Sequence, residues 1–205
     1  MVVKNMKYEW MEQWGDHPLR GGWWLLDAET SGFDPLTNDI ISLRFAYMEN
    51  YSVQQELNFL VQPKKLIVPW VTKLTGITPE QMKDAVPMAS AVRRLRLFLA
   101  DAPLLIYNAD FLLPFLKIAF HQYDRDEFDF PWLSLGELSM AVLGEEKVMR
   151  LDQLAQTLPE MPGFPPMDTE LTNLYRVAAS VLMQLEKDSV RTVGDLLAWS
   201  AEVAT

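Results

Sequence analysis

Short runs of apolar residues alternate along the chain with segments in which apolar residues recur at helical spacing. The run 23–26 ends on an acidic, glycine-containing turn, which is typical of a buried strand. Residues 39–47 and 51–61 are apolar-rich segments on either side of a polar turn at 49–50, which predicts an antiparallel hairpin. Residues 103–107 are apolar on both faces and predict a fourth, buried strand.

Helical periodicity dominates the rest of the sequence. Thr78 and Gln81 form a capping box with Pro79 at the first helical position, which predicts a helix start. Residues 123–134 are acidic and aromatic and predict a surface loop. Apolar positions at helical spacing predict helices over 88–99, from 108–110 to about 122, and over 135–143, 150–158, 167–185 and 192–199. The fold class is therefore α/β: a mixed sheet, made of a three-stranded antiparallel meander and a parallel strand, flanked by helices.

Composition narrows the class of protein. A length of 205 residues fits one folded domain, which we place at 22–186, with an N-terminal extension at 1–21 and a C-terminal helix at 187–205 packed on the same domain. The absence of cysteine suits a reducing cytoplasm, and the sequence predicts no signal peptide and no membrane span. The net charge of −10 counts against tight, non-specific nucleic-acid binding.

The strand that begins at Trp23 carries the candidate chemistry. Side chains alternate across a strand, so Asp27 and Glu29 point to the same face. Paired carboxylates repel one another, and a divalent cation such as Mg²⁺ resolves that conflict with oxygen ligands. Two hydrated acids at a strand end, with Ser31 and Gly32 as a simple turn, remain the alternative.

The segment from Asp27 to Leu43 resembles the first motif of the DnaQ-like (DEDDh) 3′–5′ exonucleases, which have a ribonuclease-H-like fold. The resemblance implies four acids and a histidine that work with two metal ions, Mg²⁺ or Mn²⁺. It also implies that Thr30, Gly76 and Ile77 border the site of the terminal nucleotide.

The second motif of that family resembles Tyr107 to Leu116, but its acid position falls on Leu112. Asn108 matches a family residue that touches substrate, and it could equally satisfy the backbone of a turn. Asp110 lies two residues before the acid position, about 200° round a helix, so we expect it to cap the helix instead.

The third motif should provide the histidine and the last acid, and no histidine follows His121. Alignment on Leu171 and Ala178 places Asp168 at the histidine position and Asn173 at the acid position. We interpret Asp168 as a weak substitute for the base and Asn173 as a weak metal ligand.

A register shifted by one residue puts Thr169 and Leu174 at those two positions instead. In either register Asp27 and Glu29 are the retained acids, so the resemblance implies weak metal binding. The resulting hypothesis is a 3′–5′ exonuclease-family protein with impaired or lost activity. The alternative is a weakly active divergent exonuclease on single-stranded DNA or RNA. A nucleic-acid 3′ end or a protein is the expected partner, and the oligomeric state is left open.

Overall fold

The computed structural model describes residues 11–124, 128–144, 147–158 and 169–203. Its strands are β1 (Trp23–Thr30), β2 (Ile40–Glu49), β3 (Ser52–Gln62), β4 (Val86–Pro87), β5 (Leu104–Ile106) and β6 (Trp132–Ser134). Its helices are α1 (Met11–Trp14), α2 (Pro69–Thr75), α3 (Met88–Leu99), α4 (Ala109–Tyr123), α5 (Leu135–Leu143), α6 (Leu151–Thr157), α7 (Thr169–Lys187) and α8 (Val193–Val203). A 3₁₀ turn spans Gln81–Asp84.

The strands form one mixed sheet in the order β4-β3-β2-β1-β5-β6. β1, β2 and β3 pair antiparallel, while β5 runs parallel to β1 and β6 runs parallel to β5. The predicted mixed sheet, with a meander and a parallel strand, is therefore confirmed. β5 pairs with Trp24 to Leu26 of β1, so the acids lie on an interior strand of the whole sheet, just beyond the end of that pairing.

A two-residue turn joins β2 to β3. Asn50 and Tyr51 have φ of 50° and 58°, the left-handed region that a type I′ hairpin turn requires at both central positions. The turn pairs Glu49 with Ser52. The pairing of β2 with β3 then continues to Ser42 opposite Leu60, with one irregularity between Tyr47 and Met48. Because side chains alternate, the register determines which β2 side chains share a face with the acids of β1.

Apolar side chains of β1 enter two cores on opposite faces of the sheet. Trp23 and Leu25 pack on one face with α5, α6, α7 and α8. Trp24 and Leu26 pack on the other face with α3 and α4. A strand that is covered on both faces has apolar residues at successive positions, which explains the apolar run at 23–26. The sheet is thus the middle layer between helices, and the apolar run holds β1 in place up to Asp27.

Two local predictions were wrong. Residues 132–134, predicted to be loop, form β6 beside β5. Residues 69–75, for which no element was predicted, form α2. The capping box is present, since Thr78 N–H donates to Gln81 Oε1 at 2.7 Å and Gln81 N–H donates to Thr78 Oγ1 at 3.3 Å. It opens a 3₁₀ turn rather than an α-helix, because the chain turns extended again at Ala85 before β4.

Two polar residues also differ from their predicted roles. Asp110 lies inside the first turn of α4, and Asn108 occupies the N-cap position, so Asp110 does not cap the helix. The Asp110 carboxylate at this end still suits the positive end of the helix dipole. The sequence His17-Pro18 favours a solvent-exposed loop for the histidine. Its ring is instead half-buried between Trp14 and Trp23 at centroid distances of 5.2 and 5.3 Å.

The C-terminal helix α8 lies against the start of the described chain. Gly194 N–H donates to the Gly15 carbonyl at 2.8 Å, and Val193 belongs to the same buried cluster as Leu19. The domain boundaries drawn from the sequence remain a prediction. Among the described residues, no helix is both long and apolar enough to cross a membrane.

Candidate functional site

The acid pair stands where β1 leaves the core. The apolar part of β1 is fully buried, whereas Asp27 to Thr30 are half-buried. Asp27 pairs in register with Arg44 of β2, and Glu29 pairs with Ser42. Asp27, Glu29 and Arg44 therefore share one face of the sheet, since cross-strand partners lie on the same side.

A third acid, Glu170, joins this pair from the first turn of α7. Its carboxylate, with those of Asp27 and Glu29, offers oxygen atoms that all lie within 4.8 Å of one another. We call these three residues the acid cluster. The fully buried Leu171 and Leu174 hold α7 against the sheet, which fixes where its first turn projects. Sequence reasoning missed Glu170, although it lies three residues before Asn173 and hence on the same helix face.

Arg44 is the counter-charge of the acid cluster. Its Nη2 atom donates to Glu29 Oε1 at 2.7 Å, and its Nε atom lies 2.9 Å from Asp27 Oδ2. The same Nη2 atom forms a close ion pair with Glu170. Arg44 is 9% exposed, and its contacts with the half-buried Asp27 and Glu29 are less screened by water than its contact with the exposed Glu170. One guanidinium thus touches all three carboxylates.

Asp27 and Glu29 hold their protons more tightly than free carboxyl groups do. Burial raises the pKa of Glu29 to about 7, with the charges of Glu170 and Asp27 adding to the rise and Arg44 opposing it. Burial also raises the pKa of Asp27, against the opposing charge of Arg44. The raised pKa values of Asp27 and Glu29 show that one guanidinium does not fully compensate three carboxylates.

A cleft of about 620 Å³ opens beside the acid cluster. Asp27 and Glu170 lie on its wall, together with Asn108 from the start of α4 and Asn173 from α7. The cleft continues between Phe111 and Leu112 of α4 and the segment 148–152. The structure thus brings together four polar side chains from three separate parts of the chain.

Leu112 occupies the position where the second motif of the resembled family has its acid. Its side chain is 4% exposed and packs in the α3–α4 core while lining the cleft. Asp110, two residues earlier, is exposed. The described part of α4 thus brings no carboxylate to the acid cluster.

The other predicted site residues have structural contacts of their own. Thr30 donates its hydroxyl to the Gly32 carbonyl at 2.7 Å. Gly76 ends α2 with a left-handed φ of 73°, and Ile77 is buried against Ile41 and Val71. Thr30, Gly76 and Ile77 are not among the described residues that line the cleft. Asp168 lies outside the described residues. The roles assigned to all of these residues remain predictions.

The side-chain atoms of the acid cluster determine which metal ions the site can bind. Three carboxylates are ligands that Mg²⁺ or Mn²⁺ accepts, but the guanidinium of Arg44 already lies against each of them. A pair of ions about 4 Å apart would need further acidic ligands, and Leu112 provides none. As arranged, the described residues do not fit the two-metal centre implied by the family resemblance.

Comparison with known proteins identifies the fold family. The RNase T family model, described as Exonuclease, matches residues 25–161, about two thirds of the chain. This chain belongs to the exonuclease family. The predicted membership of the DnaQ-like 3′–5′ exonucleases, within the ribonuclease-H-like superfamily, is therefore confirmed.

Relatives of this exonuclease-family chain include much longer proteins. It is 24% identical over 123 residues to DNA polymerase III PolC-type from Streptococcus pyogenes serotype M2, covering 60% of this chain and 8% of that protein. It is 29% identical over 132 residues to DNA polymerase III PolC-type from Latilactobacillus sakei, covering 64% of this chain and 9% of that protein. The chain thus spans less than a tenth of the length of these relatives.

Solved structures of exonuclease I share the fold. The zinc-bound complex of Escherichia coli exonuclease I with single-stranded DNA superposes with a TM-score of 0.65 at 18% identity, covering 82% of this chain and 41% of that one. Exonuclease I in complex with the inhibitor BCBP gives a TM-score of 0.66 at 17% identity, covering 83% and 42%. At such low identity the likeness establishes the fold alone.

Proposed function

We propose that this exonuclease-family chain binds the 3′ end of a single-stranded nucleic acid without hydrolysing it. The main support for this proposal is Leu112. Its buried, apolar side chain lies in the cleft wall at the position where the family resemblance implies a metal-binding acid. Losing a metal ligand typically lowers the rate of a metal-dependent hydrolysis by orders of magnitude. No described histidine lines the cleft to serve as a general base.

Exposed aromatic rings beside the cleft support the binding part of the proposal. Phe33 and Trp70 are 72% and 47% exposed, and their rings stack at a centroid distance of 5.7 Å. Phe33 also meets Phe111, a residue of the cleft wall, at 6.4 Å. We call Phe33, Trp70 and Phe111 the aromatic surface. Unpaired bases stack on such rings without regard to sequence, at about 1–3 kcal/mol per base.

The net charge favours binding at the end of a strand over binding along a long duplex. With a net charge of −10, the chain lacks the basic surplus that holds a long phosphate backbone. Arg150 lies on the cleft wall, where its guanidinium can contact a terminal phosphate. Its Nε atom lies 3.1 Å from Asp152 Oδ1, so the Asp152 carboxylate offsets part of its charge. Binding should therefore depend on stacking more than on phosphate neutralisation. Exonuclease I bound to single-stranded DNA is a structural precedent for such a ligand on this fold.

Fluorescence anisotropy with short single-stranded DNA and RNA tests the binding. We compare oligonucleotides with a free 3′ hydroxyl, the same oligonucleotides blocked at the 3′ end, and circular single strands. Tighter binding of the free 3′ end than of both controls would support recognition of the terminus. Equal affinity for all three, or no binding, would contradict it.

The second candidate function is a slow exonuclease. The meeting of Asp27, Glu29 and Glu170 favours it, because three acids could hold one ion if Arg44 moved away. Nucleotide release that requires Mg²⁺ or Mn²⁺ and disappears in Asp27→Ala would establish this candidate. A protein partner remains a further prediction from the sequence.

A further inference from the structure

The acid cluster already contains a positive charge supplied by the protein itself. The Arg44 guanidinium contacts Asp27 and Glu29 at 2.9 and 2.7 Å and forms a close ion pair with Glu170. These distances are typical of charge-assisted hydrogen bonds and ion pairs. The three acids come from β1 and α7, so this single side chain ties the strand to the helix.

A divalent ion would compete with Arg44 for the same oxygen atoms. The carboxylate oxygens that could hold an ion lie within 4.8 Å of one another, and the Arg44 Nη2 atom is in contact with those of Glu29 and Glu170. An ion at that point would lie within a few ångströms of a guanidinium that stays charged at any ordinary pH. The repulsion between the two cations would oppose binding in this partly buried site.

The position of Arg44 is fixed by the sheet. Arg44 lies in the middle of β2, paired with Asp27 on one side and with Asn58 of β3 on the other. It is 9% exposed, so moving the guanidinium into water would require its buried stem to change rotamer against neighbouring strands. An exposed lysine or arginine could leave a metal site freely, whereas this one is held in place.

We propose that Arg44 is the resident cation of the acid cluster, and that divalent ions bind there well only when its guanidinium is removed. The cluster then stabilises the junction between β1 and α7 in the way that a metal ion would in a metal-dependent member of the fold. This inference rests on the contacts of Arg44 alone and holds whether or not the chain binds a nucleic-acid end.

Mn²⁺ binding measured by electron paramagnetic resonance, without nucleic acid, tests this proposal. We expect Arg44→Met to bind one Mn²⁺ per chain about 10- to 100-fold more tightly than the wild type. Arg20→Met is the matched control, because Arg20 pairs with the single carboxylate of Glu186 at 2.7 Å and its loss creates no cluster. Adding Glu170→Gln to Arg44→Met should abolish most of the gain.

Wild-type affinity equal to that of Arg44→Met would overturn the proposal, as would an equal gain in Arg20→Met. If Arg44→Met does not fold without metal, thermal unfolding with added Mn²⁺ decides: recovery of the melting transition supports the proposal. If the melting transition does not recover, the Mn²⁺ binding measurement is made on Arg44→Lys instead. The lysine ammonium keeps the positive charge but lacks the planar guanidinium that contacts several carboxylates at once. An intermediate Mn²⁺ affinity in Arg44→Lys supports the proposal, and an unchanged one overturns it.

Discussion

The Nη2 atom of Arg44 donates to Oε1 of Glu29 at 2.7 Å, from the strand adjacent to the one that carries Glu29. This contact joins β2 to the half-buried end of β1, where the carboxylates would otherwise repel one another. The same guanidinium reaches Asp27 and Glu170. Among the described residues, Arg44 is therefore the cation that contacts all three carboxylates of the acid cluster.

Removing Arg44 should destabilise the fold. Breaking a buried ion pair leaves its partners uncompensated, and because the acids are only partly buried, we expect Arg44→Met to lower the free energy of unfolding by about 1–3 kcal/mol. Urea denaturation at low salt and without metal measures the loss. Arg191→Met is the control on an exposed arginine. An unfolding free energy equal to that of the wild type would show that the Arg44 contacts contribute nothing to stability.

The aromatic surface should carry much of the affinity for single strands. Trp70→Ala and Phe33→Ala each remove an exposed ring, so we expect each to weaken oligonucleotide binding by about 5- to 100-fold, as loss of one base stack does. Stability should hardly change, since both side chains are largely outside the core. Fluorescence anisotropy measures the binding. Leu97→Ala, an exposed apolar truncation on α3, is the control, and an equal loss there would refute a specific role for the rings.

His17 should make stability depend on pH. Burial lowers its pKa from 6.5, and its neutral ring donates from Nε2 to the Gly22 carbonyl at 3.0 Å. The unfolded chain therefore takes up a proton at a pH where the folded protein does not. The His17 contribution to stability is present above pH 6.5 and is lost as the pH falls from there through the lowered pKa.

Chemical denaturation across this pH range, compared between the wild type and His17→Gln, isolates the His17 effect. The difference in unfolding free energy between the two proteins should shrink as the pH falls below about 6.5. His121, the other histidine, is exposed, so His121→Gln should leave the pH dependence unchanged. A constant difference between His17→Gln and the wild type would contradict the lowered pKa.

Gly136 should tolerate no side chain. A Cβ there would lie 2.5 Å from the Tyr107 carbonyl oxygen, which the Gly136 N–H already contacts at 3.1 Å. We expect Gly136→Ala to cost about 1–3 kcal/mol and to disturb the turn that presents Asn108 to the cleft. Thermal unfolding compares it with Gly144→Ala, where a Cβ meets open space and only the left-handed φ of 70° costs stability. A smaller loss at Gly136 than at Gly144 would be inconsistent with the close approach.

Local patterns in the sequence predicted the elements with strong periodicity. The bounds of α3 and α5 agree with the helices predicted from apolar spacing at 88–99 and 135–143. The helix α2 was missed because it has seven residues and Val71 is its one buried residue, so no apolar stripe marks it. Pro69 at its start and Gly76 at its end were the available signals. The strand β6 has three residues and is defined by pairing with β5, which no local signal encodes.

The candidate site was only partly predictable for a similar reason. Asp27 and Glu29 share a face because a strand alternates its side chains, which the sequence reveals directly. Glu170 and Arg44 reach them through the packing of α7 on the sheet and the register of β2, which are tertiary relationships. Motif alignment drew attention to Asp168 and Asn173 and passed over the charged residue between them.

A degradation assay tests the central claim most directly. A 5′-labelled single-stranded oligonucleotide, DNA or RNA, is saturated with the protein in Mg²⁺ or Mn²⁺, and the wild type is compared with Asp27→Ala, which reports any contaminating nuclease. The account predicts that the wild type binds the strand yet shortens it no faster than the variant does. A ladder of products from the wild type that is absent with Asp27→Ala would contradict the account and identify a working exonuclease.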